Sequence, residues 1–237
     1  MRIDTEIETK ANLIAGSFLF RDLSPQLLER VTRLSRTQRC RRGSFVFQMG
    51  DEGDALYGVA QGMIRIWIPG ADGRELTVAL MERGDIFGEI ALLDGLPRTA
   101  NASAIDDTVL LSIDRANFVD LLEREPHIGR HIIELLCERL RATNDRFSED
   151  AFLSLKARLA KRLEALMIGH GQPCPEGMRI GLKLSQTDLA NMLGVTREAV
   201  NKQLGAWTQR GLIQHSRGTV IICDPQGLKR EGSPERA

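Results

Sequence analysis

The residues best placed to do chemistry lie between 87 and 100, in the run Phe87-Gly88-Glu89-Ile90-Ala91-Leu92-Leu93-Asp94-Gly95-Leu96-Pro97-Arg98-Thr99-Ala100. Gly88 and Glu89 precede a stretch, Ile90 to Leu93, long enough for one helical turn. Backbone N–H groups at the start of such a turn have no partner within it and suit an anion. Arg98 offers a fork of donors for a phosphate. Glu89 only accepts hydrogen bonds, so it cannot bind phosphate but can take a hydroxyl such as that of a ribose. Phosphate and ribose hydroxyl side by side describe a nucleotide. The competing reading of the same two residues is a Glu89–Arg98 salt bridge that closes a tight loop.

A second set lies between 185 and 222. Ser185-Gln186-Thr187-Asp188 has the Ser-x-x-acid form of a helix start, followed by apolar Leu189, Met192 and Leu193. Gly194-Val195 interrupts this helix and Thr196 can cap a second one, with Ala199, Val200 and Leu204 inward. Ala190 is small enough for the two helices to touch, Gly194 permits the turn, and Val200 locks the second helix down. The spacing predicts a helix-turn-helix. Arg197, Glu198, Asn201 and Lys202 then share one side of the second helix, in the half that enters the major groove of DNA in this motif. Arg can bond guanine and Glu can accept from cytosine. Gln186, Thr187 and Ser216 are candidates for phosphate contacts.

Both sites need a scaffold. Residues 12–35 read as short helices, with Ser24-Pro25 as a helix start. Short β-rich runs follow at 44–48, 55–60, 63–68, 76–81 and 108–113, and 10 of the 22 glycines fall between 43 and 95. Ile64, Ile66 and Ile68 alternate with Arg65 and Trp67, and Gly70-Ala71-Asp72-Gly73 makes a turn. The pattern predicts a small antiparallel barrel or roll. A helix over 115–125 stops at Pro126. A longer one over 127–147 carries a narrow seam of Ile128, Ile132, Leu136, Leu140, Thr143 and Phe147, able to pack on its own domain or on a second copy. Another helix covers 152–168, a loop covers 169–178, and a hairpin over 212–222 forms a wing beside the helix-turn-helix. The fold class is α+β.

Composition narrows the function. The chain has 237 residues, enough for two domains. Its net charge of zero hides an asymmetry: residues 1–150 carry 19 Lys and Arg against 25 Asp and Glu, and residues 151–237 carry 13 against 7. Only the basic back half suits a polyanion. Cys40, Cys137, Cys174 and Cys223 lie far apart, and His127 and His131 have no third ligand near them in sequence, so no metal site is expected. No P-loop or nucleophile–base pair points to catalysis. With no long apolar run and no signal-like N-terminus, the expected place is the cytoplasm.

The run Phe87 to Ala100 resembles the phosphate-binding cassette of cyclic-nucleotide-binding domains, and residues 185–222 resemble the DNA-binding domain of the cyclic-AMP receptor and fumarate-nitrate regulator family. The order of roll, long helix and winged helix-turn-helix extends the resemblance over nearly the whole chain. The cysteine cluster of the iron–sulfur branch is absent, which favours the nucleotide-binding branch.

The resemblance implies a cyclic-nucleotide-binding domain over 1–126, a dimerisation helix and hinge over 127–150, a winged helix-turn-helix over 151–224 and a disordered tail over 225–237. It also implies roles. Glu89 would hold the ribose 2′-hydroxyl, with Gly88 beside it. Arg98 would hold the cyclic phosphate, and the N–H groups around Ile90 and Ala91, with the Thr99 hydroxyl, would complete the cradle. Thr143, and Asn144 of the partner subunit, would meet the base. Asn144 stands where the family has Ser. Thr99 matches cGMP-binding kinase domains, so the ligand is cAMP with cGMP open. Thr196, Arg197 and Glu198 match the start of the recognition helix, and Lys202 stands where the best-known member has Arg. The function implied is an allosteric, homodimeric transcription regulator that binds a cyclic nucleotide and then a palindromic DNA site. RNA polymerase is a further partner, through the loop 170–178. The alternative is a regulator of the same fold that ignores nucleotides or senses another effector.

Overall fold

A computed structural model describes residues 10–233. The chain forms two compact units. One takes the residues up to Pro69 together with Thr77–Arg139, and the other takes Gly70–Leu76 together with the residues from Leu140 onward.

The first unit opens with a short helix, α1 (10–15), and with α2 (Pro25–Leu34), whose N-cap is Ser24 as expected. Eight strands follow: β1 (Arg36–Cys40), β2 (Phe45–Phe47), β3 (Ala55–Gln61), β4 (Ile64–Pro69), β5 (Glu75–Met81), β6 (Ile86–Phe87), β7 (Asn101–Ala104) and β8 (Thr108–Asp114). They make two four-stranded sheets, in the orders β1-β8-β3-β6 and β2-β7-β4-β5. β8 pairs antiparallel with β1 and β3, and β7 pairs antiparallel with β2 and β4. Tyr57, Val59, Ile64, Met81, Phe87, Ala102 and Leu110 fill the core of the roll. On β4, Ile64 and Ile66 face this core, while Arg65 lies over the Trp67 ring at 4.9 Å.

Sequence patterning missed β1, β7 and the two-residue β6. β1 is an edge strand rich in exposed Arg, a composition that protects an open edge but hides the apolar period. β7 reads Asn-Ala-Ser-Ala, without a branched residue, yet lies between β2 and β4 with Ala102 buried.

A second apolar cluster packs the helices on Leu56, Ile86 and Ile113. It includes α3 (Glu89–Asp94) through Leu92, α4 (Arg115–Arg124) through Phe118 and Leu121, and the start of α5 (Pro126–Phe152). Pro126 ends α4 as expected. It also opens α5, because a first-turn residue needs no N–H. The seam on α5 divides. Ile128 and Ile132 are buried in their own unit and Leu136 packs on the same core. A separate stripe stays exposed: Ile133 (63%), Leu140 (62%) and Phe147 (77%), with Cys137 and Asn144 between them.

The second unit holds α6 (Leu155–His170), β9 (Gly171–Cys174), β10 (Gly177–Ile180), α7 (Gln186–Leu193), α8 (Arg197–Gln209), β11 (Ile213–Ser216), β12 (Thr219–Ile222) and α9 (Pro225–Glu231). Its strands form one sheet in the order β11-β12-β10-β9. Two expectations need correction. The stretch expected as a loop is the hairpin β9–β10. Pro173 obscures it in the sequence, but β9 lies at the sheet edge, where a missing N–H is tolerated. The tail expected to be disordered from 225 begins as α9, capped by Asp224 and held by the buried Leu228. Glu231, near its end, accepts from Trp207 Nε1 (3.2 Å) and Arg210 Nη2 (2.8 Å). Residues 234–237 lie outside the described ones.

Candidate nucleotide and DNA sites

The cassette is built where β6 turns into α3. Gly88 is left-handed (φ 84°), and a Cβ there would stand 2.8 Å from Arg98 Nη1, so only glycine fits. Gly53 is equally constrained, since a Cβ on it would stand 2.5 Å from the Ala91 carbonyl. The loop before β3 is thereby pressed against α3, and the start of that helix is fixed. Ile90 and Thr99 are exposed and Ala91 is buried.

Arg98 is buried. Its Nη1 donates to the Gly88 carbonyl (2.7 Å), and its Nη2 donates to the Ala55 carbonyl (2.8 Å) and to Asp54 Oδ1 (3.1 Å). The guanidinium lies 4.2 Å from the centroid of the Phe47 ring, a contact that favours a cation. Burial foremost, and the Asp54 charge next, push the nearby Tyr57 hydroxyl above its usual pKa. Arg98 Nε is buried without a hydrogen-bond partner.

Glu89 is fully buried. Its Oε1 accepts from Arg139 Nη1 on α5, and Arg139 Nη2 donates to the Ile86 carbonyl. Its Oε2 is buried without a partner. The Glu89–Arg98 salt bridge of the competing reading does not form: each residue pairs elsewhere, Glu89 with Arg139 and Arg98 with Asp54. A buried acceptor and a buried donor thus remain unsatisfied on residues nine apart in sequence, an arrangement that costs free energy unless a polar ligand completes it. Sequence reasoning gave no role to Arg139. The signal was there: it lies one helical turn before Thr143. Thr143 and Asn144 are exposed on α5 and fall in the second unit.

The helix-turn-helix forms as the spacing predicts. Ser185 Oγ accepts from the Asp188 N–H (3.1 Å) while Asp188 Oδ2 accepts from the Ser185 N–H (2.7 Å), a complete capping box. Gly194 is left-handed (φ 64°) and Thr196 Oγ1 caps α8 by accepting from the Ala199 N–H. Ala190 and Val200 are buried at the helix contact. Thr196, Arg197, Glu198, Asn201 and Lys202 are exposed together, and so are Thr187 and Ser216. Gln186 differs from expectation in having a partner already: its Nε2 donates to Asn201 Oδ1 (2.9 Å) and ties α7 to α8. At the wing tip, between Ser216 and Gly218, the exposed Arg217 takes a positive φ of 48°. It is a cation beside Ser216 that the sequence reading passed over.

Residues 37–125 match the cyclic nucleotide-binding domain family and residues 157–231 match the Crp-like helix-turn-helix domain family. The chain is 31% identical over 218 residues to the CRP-like cAMP-activated global transcriptional regulator of Mycobacterium tuberculosis, covering 92% of this chain and 97% of that protein. It is 32% identical over 207 residues to the cyclic AMP receptor protein of Thermus thermophilus, covering 87% and 93%. Among solved structures, the c-di-GMP-responsive global regulator CLP of Xanthomonas campestris superposes with a TM-score of 0.76 at 25% identity, over 85% of this chain and all of that one.

Proposed function

We propose, from the premise that this chain belongs to the CRP/FNR family of DNA-binding transcription regulators, that it is a homodimer whose affinity for a palindromic DNA site is set by cAMP. The observation that carries the reading is the pair of buried, unsatisfied atoms Glu89 Oε2 and Arg98 Nε, flanking the start of α3. Glu89 accepts from the ribose 2′-hydroxyl. Arg98, the N–H groups near Ile90 and Ala91, and the Thr99 hydroxyl hold the cyclic phosphate. Arg139 orients Glu89. Thr143, with Asn144 of the partner subunit, reads the base. Thr99 leaves room for cGMP as a second ligand. The names of the mycobacterial and Thermus relatives support cAMP; that of the Xanthomonas protein keeps other effectors in play.

The exposed stripe on α5 supplies the dimer. Ile133, Cys137, Leu140, Asn144 and Phe147 step by four and three, the period of a two-stranded coiled coil. Two recognition helices about 34 Å apart then enter successive major grooves. Arg197 and Glu198 read bases, Asn201 and Lys202 support them, and Thr187, Thr196 and Ser216 hold phosphates. RNA polymerase is a further partner, through the β9–β10 hairpin. The cytoplasm suits a DNA-binding protein; no helix among the described residues is long and apolar enough to cross a membrane.

One observation favours a second reading, a regulator indifferent to nucleotides: Glu89 and Arg98 each hold a charged partner already. Calorimetric titration of the purified protein with cAMP, and separately with cGMP, separates the two. Heat with cAMP, and an affinity that falls sharply in Arg98→Lys, support the site. No binding of either ligand by two independent assays supports the ligand-free roll.

A further inference from the structure

Gln186 and Asn201 join the polar sides of α7 and α8. Gln186 Nε2 donates to Asn201 Oδ1 at 2.9 Å. Gln186 is the first residue of α7, and the capping box between Ser185 and Asp188 fixes the backbone on either side of it. Its side chain is half-buried. Asn201 lies one turn after Arg197 on α8 and is exposed. Ala190 and Val200 are buried where the two helices touch, so the joint that carries the pair is packed rather than loose.

The side-chain amide of asparagine has two unlike ends: Oδ1 accepts and Nδ2 donates. An asparagine alone on a helix surface can turn over and present either end. The bond from Gln186 selects one way round. Oδ1 has two lone pairs and Gln186 takes one, so the other stays open beside the Nδ2 hydrogens. A bond accepted at the oxygen also polarises the amide and strengthens its N–H donors. An acceptor beside a donor is the pattern that meets adenine in the major groove, with Oδ1 taking a hydrogen from N6 and Nδ2 donating to N7. Guanine offers two acceptors there, thymine an acceptor and cytosine a donor, so none of them satisfies both ends of the amide.

We propose that Gln186 is a positioning residue, which fixes the orientation of the Asn201 amide so that Asn201 reads one adenine in each half-site. The inference rests on the reading of α8 as the recognition helix. Gln186, expected from the sequence to hold a phosphate, acts instead on a base through Asn201.

The test is binding-site selection from a random pool by the full chain with cAMP present, comparing the parent with Asn201→Ala, Gln186→Glu and Arg197→Ala. Asn201→Ala should erase the preference at one position of the half-site, and the parent should select adenine there. Gln186→Glu sets an acceptor-only carboxylate against Asn201, so the amide turns Nδ2 toward it and presents its ends in reverse. Preference for adenine at that position should fall roughly fivefold or more, the scale of one bidentate base contact. The added charge weakens every site alike, so ratios between sequences are read rather than affinities. The position read by Arg197 should keep its preference, and thermal melts check that each variant is folded. A tie that only braces the two helices would lower affinity without moving the base ratio. Asn201→Ala that alters no position, a base other than adenine at the altered position, or an adenine ratio unchanged in Gln186→Glu while the Arg197 position persists overturns this inference alone. A parent chain that selects no common sequence overturns the reading of α8 with it.

Discussion

Arg98 has a structural role that its sequence context does not show, beside the phosphate-binding role proposed for it. The setting Arg98-Thr99-Ala100 after Gly88-Glu89 is the basis for proposing a phosphate donor. The structure adds that its guanidinium also satisfies the Gly88 and Ala55 carbonyls. Arg98→Leu therefore removes more than ligand capture. It strands two backbone acceptors and should lower unfolding stability by about 1–3 kcal/mol in a denaturant titration, even without nucleotide. Arg98→Lys keeps the charge and loses the fork, so it should bind ligand weakly at smaller cost. At the same scale, burial lowers the pKa of His215 on β11. A histidine of depressed folded pKa binds its proton more readily when unfolded. Its contribution is thus present above the ordinary imidazole range and is lost as pH falls through that range. The second unit should lose melting temperature on acidification below about pH 6.5, and His215→Gln should flatten that loss. A parent chain whose melting is unchanged over that window would contradict the burial.

At the scale of elements, legibility followed the physical signal each element leaves. The helix-turn-helix was readable because caps, a left-handed glycine and a branched lock are all sequence features, and each is found in its role. The strands with alternating Ile, Val and Leu were readable for the same reason. β1 and β9 were not, since edge strands are selected against stickiness rather than for apolar period. α9 is short and polar, and only the single buried Leu228 marks it. The α5 seam was half readable: one helix carries two apolar stripes, and periodicity alone cannot say which faces its own core. The capping box gives an element-scale prediction. Ser185→Ala should cost about 1 kcal/mol of stability in thermal melts. Arg197→Ala, exposed on α8, should instead leave melting unchanged and relax base choice at one position of the half-site in a binding-site selection. Unaltered base preference would mean that another face of α8 enters the groove.

For the whole molecule, the claim is that two copies pair along the exposed stripe of α5. Cys137 then meets its counterpart across the twofold axis. Mild oxidation with diamide should yield a covalent dimer that Cys137→Ser abolishes, and Leu140→Asp should give monomers in sedimentation. A monomeric parent chain at micromolar concentration would rule the pairing out. DNA affinity should also fall steeply with added salt, as phosphate contacts release counterions. The acidic first unit and basic second unit fit that division of labour.

The central claim is that the cassette controls DNA binding, and one measurement addresses it most directly. A palindromic duplex selected from a random pool by the full chain is titrated by fluorescence anisotropy at fixed salt, with and without saturating cAMP. The account predicts at least roughly tenfold tighter binding with cAMP, a coupling of about 1.4 kcal/mol or more, and a much smaller gain in Arg98→Lys at the same cAMP concentration. Equal affinity with and without the nucleotide would contradict it and leave a DNA-binding protein whose roll answers to something else.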